Sequence, residues 1–253
     1  MTVQPLDLGI SVPPPDIELR INPDLDIAAL ARTYRERGHV RVERILAAGA
    51  REMFAWFDQC ADWIQLISAD GGAVEIDYAE WTDMASVERA SIEQEMYRRA
   101  TDGFQYSYAA MRVPDEDERL HGGDPMTIFA EFMESAETQD LLEAITGTRS
   151  PAFNDGQATA YGTGDFLTGH DDDVAGRRRT TACVFGMTPQ WRLEWGGLLL
   201  FHDLGSRDVT GMVPQFNTLD LFAVPRYHSV SQITPAAPRR RYAITGWLSP
   251  EAG

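Results

Sequence analysis

Residues 161–172 read Y-G-T-G-D-F-L-T-G-H-D-D, and how this stretch is taken decides what the rest of the chain must be. In an extended segment, side chains two apart share a face and stand about 6.5 to 7 Å apart, so His170 and Asp172 aim an imidazole and a carboxylate at one point. The glycines Gly162, Gly164 and Gly169 let the backbone bend there and come close to a ligand. Two readings fit the pair. It is either part of a metal site or a piece of an Asp-rich turn that solvates a loop, the reading given to Asp171 and Asp173. With five histidines and 39 acidic residues, one such pair arises by chance, so its company decides.

That company is His228, in P-R-Y-H-S-V, and Arg241, which opens R-Y-A-I-T-G-W. Two histidines and a carboxylate on one face, with positions left open, favour non-haem Fe(II) and oxygen chemistry. His228 follows L-D-L-F-A-V-P-R-Y, a buried-looking strand that ends at Pro225, and the other reading for it is a hydrogen-bonded core or rim residue. Strand alternation sets Arg241, Ala243 and Thr245 on one face and Tyr242, Ile244 and Gly246 on the other. An arginine on an apolar inner face must find an anion. That anion is either the far carboxylate of a dicarboxylate whose near end chelates the metal, held bidentately, or an internal Asp or Glu. His121 in H-G-G-D and His202 after L-L-L-F compete as ligands, and are read as a solvated turn and an exposed rim residue.

Outward from this site, the chain after Ala158 breaks into short β runs separated by Gly, Pro and Asp. Strands are expected near 158–161, 166–170, 180–187, 197–202, 218–224, 228–233 and 241–247, which fits a double-stranded β-helix, or jelly roll. Upstream, apolar spacing predicts helices over 26–37, 86–99 and 135–146, and one from near Ala47 that carries Met53, Phe54, Trp56, Phe57, Cys60, Trp63 and Ile64. H-V-R-V-E-R-I-L reads as a half-buried strand. The fold class is mainly β with helices (α+β), the N-terminal helices packing on one sheet. Residues 1–22, with Pro13, Pro14 and Pro15 in a row, form a flexible arm in which 17–21 can add an edge strand. Residues 23–253 make one domain, with helical support at 23–150 and the jelly-roll core at 151–253.

The charge balance of 22 basic and 39 acidic residues, net −17, argues against nucleic acid or an anionic membrane as partner and leaves a basic protein open. Cys60 and Cys183 sit in apolar runs and suggest no disulfide framework. The opening M-T-V-Q-P-L-D-L-G-I has neither a basic leader nor an apolar core, and no stretch of about 20 apolar residues occurs. A soluble, cytoplasmic protein is expected.

With these residues in view, the chain resembles the Fe(II)- and 2-oxoglutarate-dependent dioxygenases, in the prolyl-hydroxylase branch. L-T-G-H-D-D-D-V-A-G-R-R, T-P-Q-W and W-G-G-L-L-L resemble the eukaryotic ribosomal-protein prolyl hydroxylases, and R-Y-A-I-T-x-W the oxygen-sensing ones. The match covers about residues 155–249 and extends weakly upstream through F-Q-Y-S-Y. The resemblance implies His170, Asp172 and His228 as a facial triad, Arg241 as the anchor of the distal carboxylate of 2-oxoglutarate, and Tyr161 as a further contact of that co-substrate. A second tyrosine, expected on the strand at 180–187, is missing, and its place falls to Thr181 or to water. The cofactors implied are Fe(II), 2-oxoglutarate and O2, with ascorbate in support.

The activity implied is hydroxylation of an unactivated C–H bond, on a prolyl residue in a protein or peptide, with succinate and CO2 as co-products. Two alternatives keep the same residues: the same chemistry on a free amino acid or small molecule, and a turnover-deficient sensor that binds metal and 2-oxoglutarate. The eukaryotic ribosomal enzymes resemble this chain in one barrel and carry a second, degenerate one. Here the chain ends six residues after Trp247, so the partner surface of that second barrel is expected to be missing.

Overall fold

The computed structural model describes residues 17–70, 72–119 and 124–250. Most of the expected arm, residues 1–16, and His121 lie outside the described residues. A short strand β1 (Arg20–Ile21) leads to α1 (Ile27–Arg37), β2 (His39–Glu43), β3 (Leu46–Ala48) and α2 (Ala50–Gln59). Next come the hairpin β4 (Ile64–Ala69) and β5 (Gly72–Asp77), α3 (Tyr78–Asp83), α4 (Ser86–Ala100) and β6 (Tyr106–Arg112). Two helices, α5 (Pro125–Glu134) and α6 (Ala136–Thr146), precede β7 (Pro151–Tyr161), β8 (Phe166–His170), β9 (Thr181–Met187) and β10 (Leu199–His202). The chain closes with β11 (Val209–Met212), β12 (Phe216–Ala223), β13 (His228–Val230) and β14 (Arg241–Pro250).

Local chemistry sets the helix ends. The Asp26 carboxylate accepts the Ala29 N–H at 2.9 Å to start α1, and Gly38, at φ 67°, ends it with its N–H on the Tyr34 carbonyl. Ser135 caps α6 through Thr138 N–H, and Gly147 closes it at φ 74°. These three helices, α1, α4 and α6, fall where apolar spacing predicts them.

Other expectations need correction. The aromatic helix is shorter than expected: α2 stops at Gln59, and Ile64 instead starts β4, where Gln65 and Ile67 are buried. The stretch taken as helices and loops also holds β6, a strand that crosses the middle of the sheet. Its alternating Y-S-Y-A-A-M-R is masked as a periodic signal because most of its positions are buried. Helix α5 is opened by Asp124, which accepts Thr127 N–H at 2.8 Å, with Pro125 at its first position. Strand β7 begins at Pro151 rather than near 158.

Among the described residues, twelve strands form one antiparallel sheet in the order β11-β10-β13-β8-β6-β7-β14-β9-β12-β2, with β4 and β5 added beside β6. The sheet curls into a half-barrel of jelly-roll type, as expected, with six helices among the described residues, α3 and α5 being additional to those predicted. Alternation along β14 divides its two faces. Tyr242, Ile244 and Leu248 pack outward against α2, α5 and α6 among Met53, Phe57, Phe129 and Leu142. Arg241, Thr245 and Trp247 line the concave side with Tyr161 from β7 and Val184 from β9. The outer core therefore fixes the sheet's curvature, and the concave face is left for chemistry.

Candidate metal centre

His170 ends β8 and His228 begins β13, and the two are direct cross-strand partners. Their rings stand 4.2 Å apart between centroids. Asp172, two residues on, has left β8 and adopts φ 64°, which swings its carboxylate back between them. Its Oδ1 lies 3.3 Å from His170 Nε2 and its Oδ2 3.4 Å from His228 Nε2. One ligand atom from each of the three residues lies within 4.8 Å of the others. Asp172 thus reaches the point through a left-handed turn rather than through simple strand alternation.

The protons on these groups follow from their other contacts. His170 Nδ1 faces the Thr168 carbonyl at 3.0 Å, and His228 Nδ1 faces the Arg226 carbonyl at 2.7 Å. A carbonyl only accepts, so each Nδ1 carries the hydrogen and each Nε2 turns its lone pair to Asp172. Burial, reinforced by His170, pushes the His228 imidazole down to about 4. Three acceptors therefore converge with no donor among them. Such a trio is mutually repulsive until a cation sits at its centre, and two imidazoles with one carboxylate are a donor set for Fe(II).

The glycine at 169 belongs to this geometry. A Cβ there would stand 2.4 Å from the Tyr227 ring, so only glycine lets that ring cover the backbone beside His170.

Arg241 faces the same cavity, which measures about 230 Å³. It is 6 % exposed and forms no ion pair with any described carboxylate, and its Nε has no hydrogen-bond partner among the described residues. Burial lowers its hold on its proton. Across the strand pair, Tyr161 is its direct partner, with the guanidinium 5.1 Å from the tyrosine ring centre. Gly197, at φ 66°, makes room for it, since a Cβ would stand 3.1 Å from Arg241 Cδ. The salt-bridge reading of Arg241 is thus not what its surroundings provide. The buried cation is open to a carboxylate from within the cavity.

Thr181 does not join this group. Its hydroxyl bonds the Tyr34 hydroxyl at 2.7 Å, in register with Cys183 and Phe185 on the outer face of β9. The strand's inner positions are Ala182 and Val184. A second tyrosine nevertheless stands in the cavity: Tyr108 of β6 stacks on Tyr161 at 5.0 Å and takes a hydrogen bond from Gln157 Nε2 at 3.2 Å. Burial pushes its phenol up to about 12. Phe104 and Tyr106 line the same wall. Their alternation in F-Q-Y-S-Y was the available signal, hidden by the absence of a visible strand around it.

At the mouth, Arg179 lies over the Trp247 ring at 3.7 Å, bonds Asp155 at 2.8 Å and reaches the Asp172 carbonyl at 3.4 Å. Spacing alone gave no reason to single it out. His202 stays outside the triad, its Nε2 on the Ser229 hydroxyl at 2.8 Å.

Comparison with known proteins agrees with this geometry. Residues 156–249 match the model of the 2OG-Fe(II) oxygenase superfamily. Over 114 residues the chain is 29 % identical to the prolyl 3-hydroxylase OGFOD1 of Xenopus laevis, covering 42 % of this chain and 22 % of that protein. The chain therefore spans about a fifth of that relative's length. Among solved structures, an oxidoreductase of the 2OG-Fe(II) oxygenase family from Burkholderia pseudomallei superposes with a TM-score of 0.63 at 14 % identity, over 94 % of this chain and 97 % of that one. A prolyl hydroxylase from Trichoplax adhaerens, in complex with a hypoxia inducible factor oxygen degradation domain peptide fragment, gives 0.59 at 13 % identity over 88 % of each. The segment 156–249, which carries His170, Asp172, His228 and Arg241, is thus similar to the 2OG-Fe(II) oxygenase superfamily.

Proposed function

We propose that the chain is an Fe(II)- and 2-oxoglutarate-dependent hydroxylase that acts on a prolyl residue of a protein or peptide. The observation that carries this reading is the pairing, in one cavity, of a donor-free His–Asp–His trio with a buried arginine that has no anion. His170, Asp172 and His228 would hold Fe(II), and Arg241, with Tyr161 and Tyr108 beside it, the far carboxylate of 2-oxoglutarate. When bound, this pair supplies oxidative decarboxylation by O2 to succinate and CO2, coupled to hydroxylation of an unactivated C–H bond, with ascorbate to keep the metal reduced. The unit that carries the reaction is residues 23–253, and with Cys60 and Cys183 both unpaired its compartment is read as the cytoplasm.

The chain's own share is positional. The Thr168 and Arg226 carbonyls fix the tautomer and tilt of the two imidazoles. Leu199, Phe222 and Val230 wall the cavity and exclude water. Arg179 stacks on Trp247 at the entrance and steadies the Asp172 backbone.

A basic peptide fits the neighbouring surface. A concavity of about 650 Å³ meets the cavity at Gln157, and Asp62, Glu75 and Asp124 line it above Ile64 and Leu66, while Asp155 beside them is already paired with Arg177 and Arg179. Arg112, its one basic lining residue among the described residues, is already paired with Asp115 and Glu118. With a net charge of −17, complementarity favours a substrate that carries Lys or Arg near its proline.

The test is incubation of the Fe(II)-loaded protein with 2-oxoglutarate and proline peptides of basic, neutral or acidic flanks. Succinate release and a one-oxygen mass gain on proline, strongest for basic flanks, are expected. Turnover on free proline alone would move the reading to a small molecule, and binding without any turnover would move it to a sensor.

A further inference from the structure

Phe104 is 52 % exposed and stands at the mouth of the metal cavity, its ring 5.5 Å from that of His170 and 5.6 Å from that of Tyr106. A single exposed phenylalanine is ordinary on a protein surface. This one is held in place. The next residue, Gln105, is buried. Its N–H donates to the Thr168 hydroxyl at 2.8 Å, and its carbonyl accepts the Thr168 N–H at 2.9 Å and the Thr168 hydroxyl at 3.1 Å. Its side-chain amide donates to the Ser68 carbonyl of β4 at 3.0 Å. Thr168 is also the residue whose carbonyl orients His170. One residue therefore fixes both His170 and the backbone beside the exposed ring, which lowers the cost of ordering that a docking contact otherwise carries.

Strand β6 runs across the mouth from this point. From Phe104 to Ala110 the chain advances about 20 Å, at about 3.3 Å per residue. Its far end, with Ala110, Met111 and Arg112, borders the acidic concavity. Its near end, with Phe104 and Gln105, borders another of about 360 Å³, lined by Asp70, Arg98, Arg99 and Asp102. The two ends differ in charge. At the far end Asp62, Glu75 and Asp124 form no ion pair among the described residues, and Arg112 is neutralised by Asp115 and Glu118. At the near end two arginines match two acids: Arg99 bonds Asp70 at 3.0 Å, and Arg98 and Arg99 both bond Glu95. Complementarity draws a cation to the far end only. What the near end leaves uncovered is the apolar ring of Phe104.

We infer that the peptide substrate is asymmetric. Because Phe104 adjoins His170, the target proline sits at the near end, and an apolar residue directly beside it packs on Phe104. Lys or Arg lies on the opposite flank alone, about four to six residues away, since an extended chain covers about 20 Å in about six residues. This rests on the hydroxylase reading and adds to it which residues flank the proline and on which side.

Fluorescence anisotropy on the 253-residue chain loaded with Mn(II) and 2-oxoglutarate tests it by peptide affinity, without turnover. One parent peptide carries a proline, Leu directly after it and an Arg-Lys-Arg block about four to six residues before it. The other has the same arrangement in the reverse chain direction. In each, Leu is replaced by Gly or Lys, and the block is replaced by Gln or moved to the Leu side. In one of the two directions the parent is expected to bind at least about tenfold more tightly than each of its altered forms. Phe104→Ala should remove the preference for Leu over Gly and keep that for the block, and Glu75→Gln should do the reverse. Both side chains are exposed, and near-ultraviolet circular dichroism checks that the variants fold; if one does not, the wild-type ranking decides. No saturable binding of either parent, parents that bind no better than their Gly or block-shifted forms, or a preference for Leu that survives in folded Phe104→Ala would overturn the inference. One-oxygen mass gain after Fe(II) and O2 replace Mn(II) bears on the hydroxylase reading alone, so peptides that rank as stated yet stay unmodified would overturn that reading and uphold the docking surface.

Discussion

Arg41 grips Asp220 with two N–H groups, Nε on Oδ1 at 2.6 Å and Nη2 on Oδ2 at 2.7 Å. Both residues border the same small cleft as Arg241, so this pair keeps the one cation away from an acid that would otherwise claim the other. Their side chains are 18 % and 6 % exposed. Arg41→Met should destabilise the protein by less than about 3 to 5 kcal/mol, the cost of a buried carboxylate left unpaired, because Asp220 then turns to Arg241. It should also raise the Kd for 2-oxoglutarate while leaving Mn(II) affinity unchanged, as Asp220 competes for Arg241. Urea unfolding and calorimetry measure the two effects separately.

Arg241→Lys keeps the charge but gives up the planar fork, so bidentate recognition of a carboxylate is lost. A rise of at least about tenfold in the 2-oxoglutarate Kd is expected, equivalent to about 1.4 kcal/mol. Fluorescence titration of the Mn(II)-loaded variant checks it.

How much of this was legible beforehand differs by element. Arg241 stood out because it interrupts an apolar strand face, and His170 and Asp172 because glycines flank a two-residue spacing. The convergence of His228 on His170 was not legible from periodicity, since it is a pairing between strands far apart in the chain. Thr181 was assigned on a missing tyrosine, but strand parity turns it outward to Tyr34. Tyr108 was missed because β6 is buried on both faces and shows no clean alternation. Arg179 gains its place only from the tertiary meeting of Trp247, Asp155 and the Asp172 carbonyl.

That meeting makes Arg179 a support for Asp172, which is held at positive φ and is proposed to ligate the metal. Arg179→Gln should lower Mn(II) affinity by about 10- to 100-fold, the usual effect of removing an outer support. The melting temperature without metal should change little. Electron paramagnetic resonance of free Mn(II) gives the affinity.

Asp165 sets a pH dependence whose direction is opposite to that of a salt-bridged carboxylate. Burial raises it from 3.8 to about 6 against the hydrogen bonds of Ser107, Gly162 and Gln65. The folded state therefore holds its proton more tightly than the unfolded chain. Its contribution to stability is complete below 3.8 and is lost as pH rises through about 6. Relative to wild type, Asp165→Asn should gain about 3 kcal/mol between pH 3.5 and pH 7.5. Urea midpoints for the two proteins at both pH values measure it, and a constant difference would contradict the assignment.

The central claim is that the trio at 170, 172 and 228 and the arginine at 241 hold the two ends of one dicarboxylate through a shared metal. Calorimetric titration of 2-oxoglutarate into wild type, His170→Ala and Arg241→Ala, each with and without Mn(II), tests it most directly. Tight binding is expected only for metal-loaded wild type, with the His170 variant losing the metal's effect and the Arg241 variant keeping Mn(II) but binding 2-oxoglutarate weakly. Equal 2-oxoglutarate affinity in the presence and absence of Mn(II), or undiminished affinity in Arg241→Ala, would contradict it.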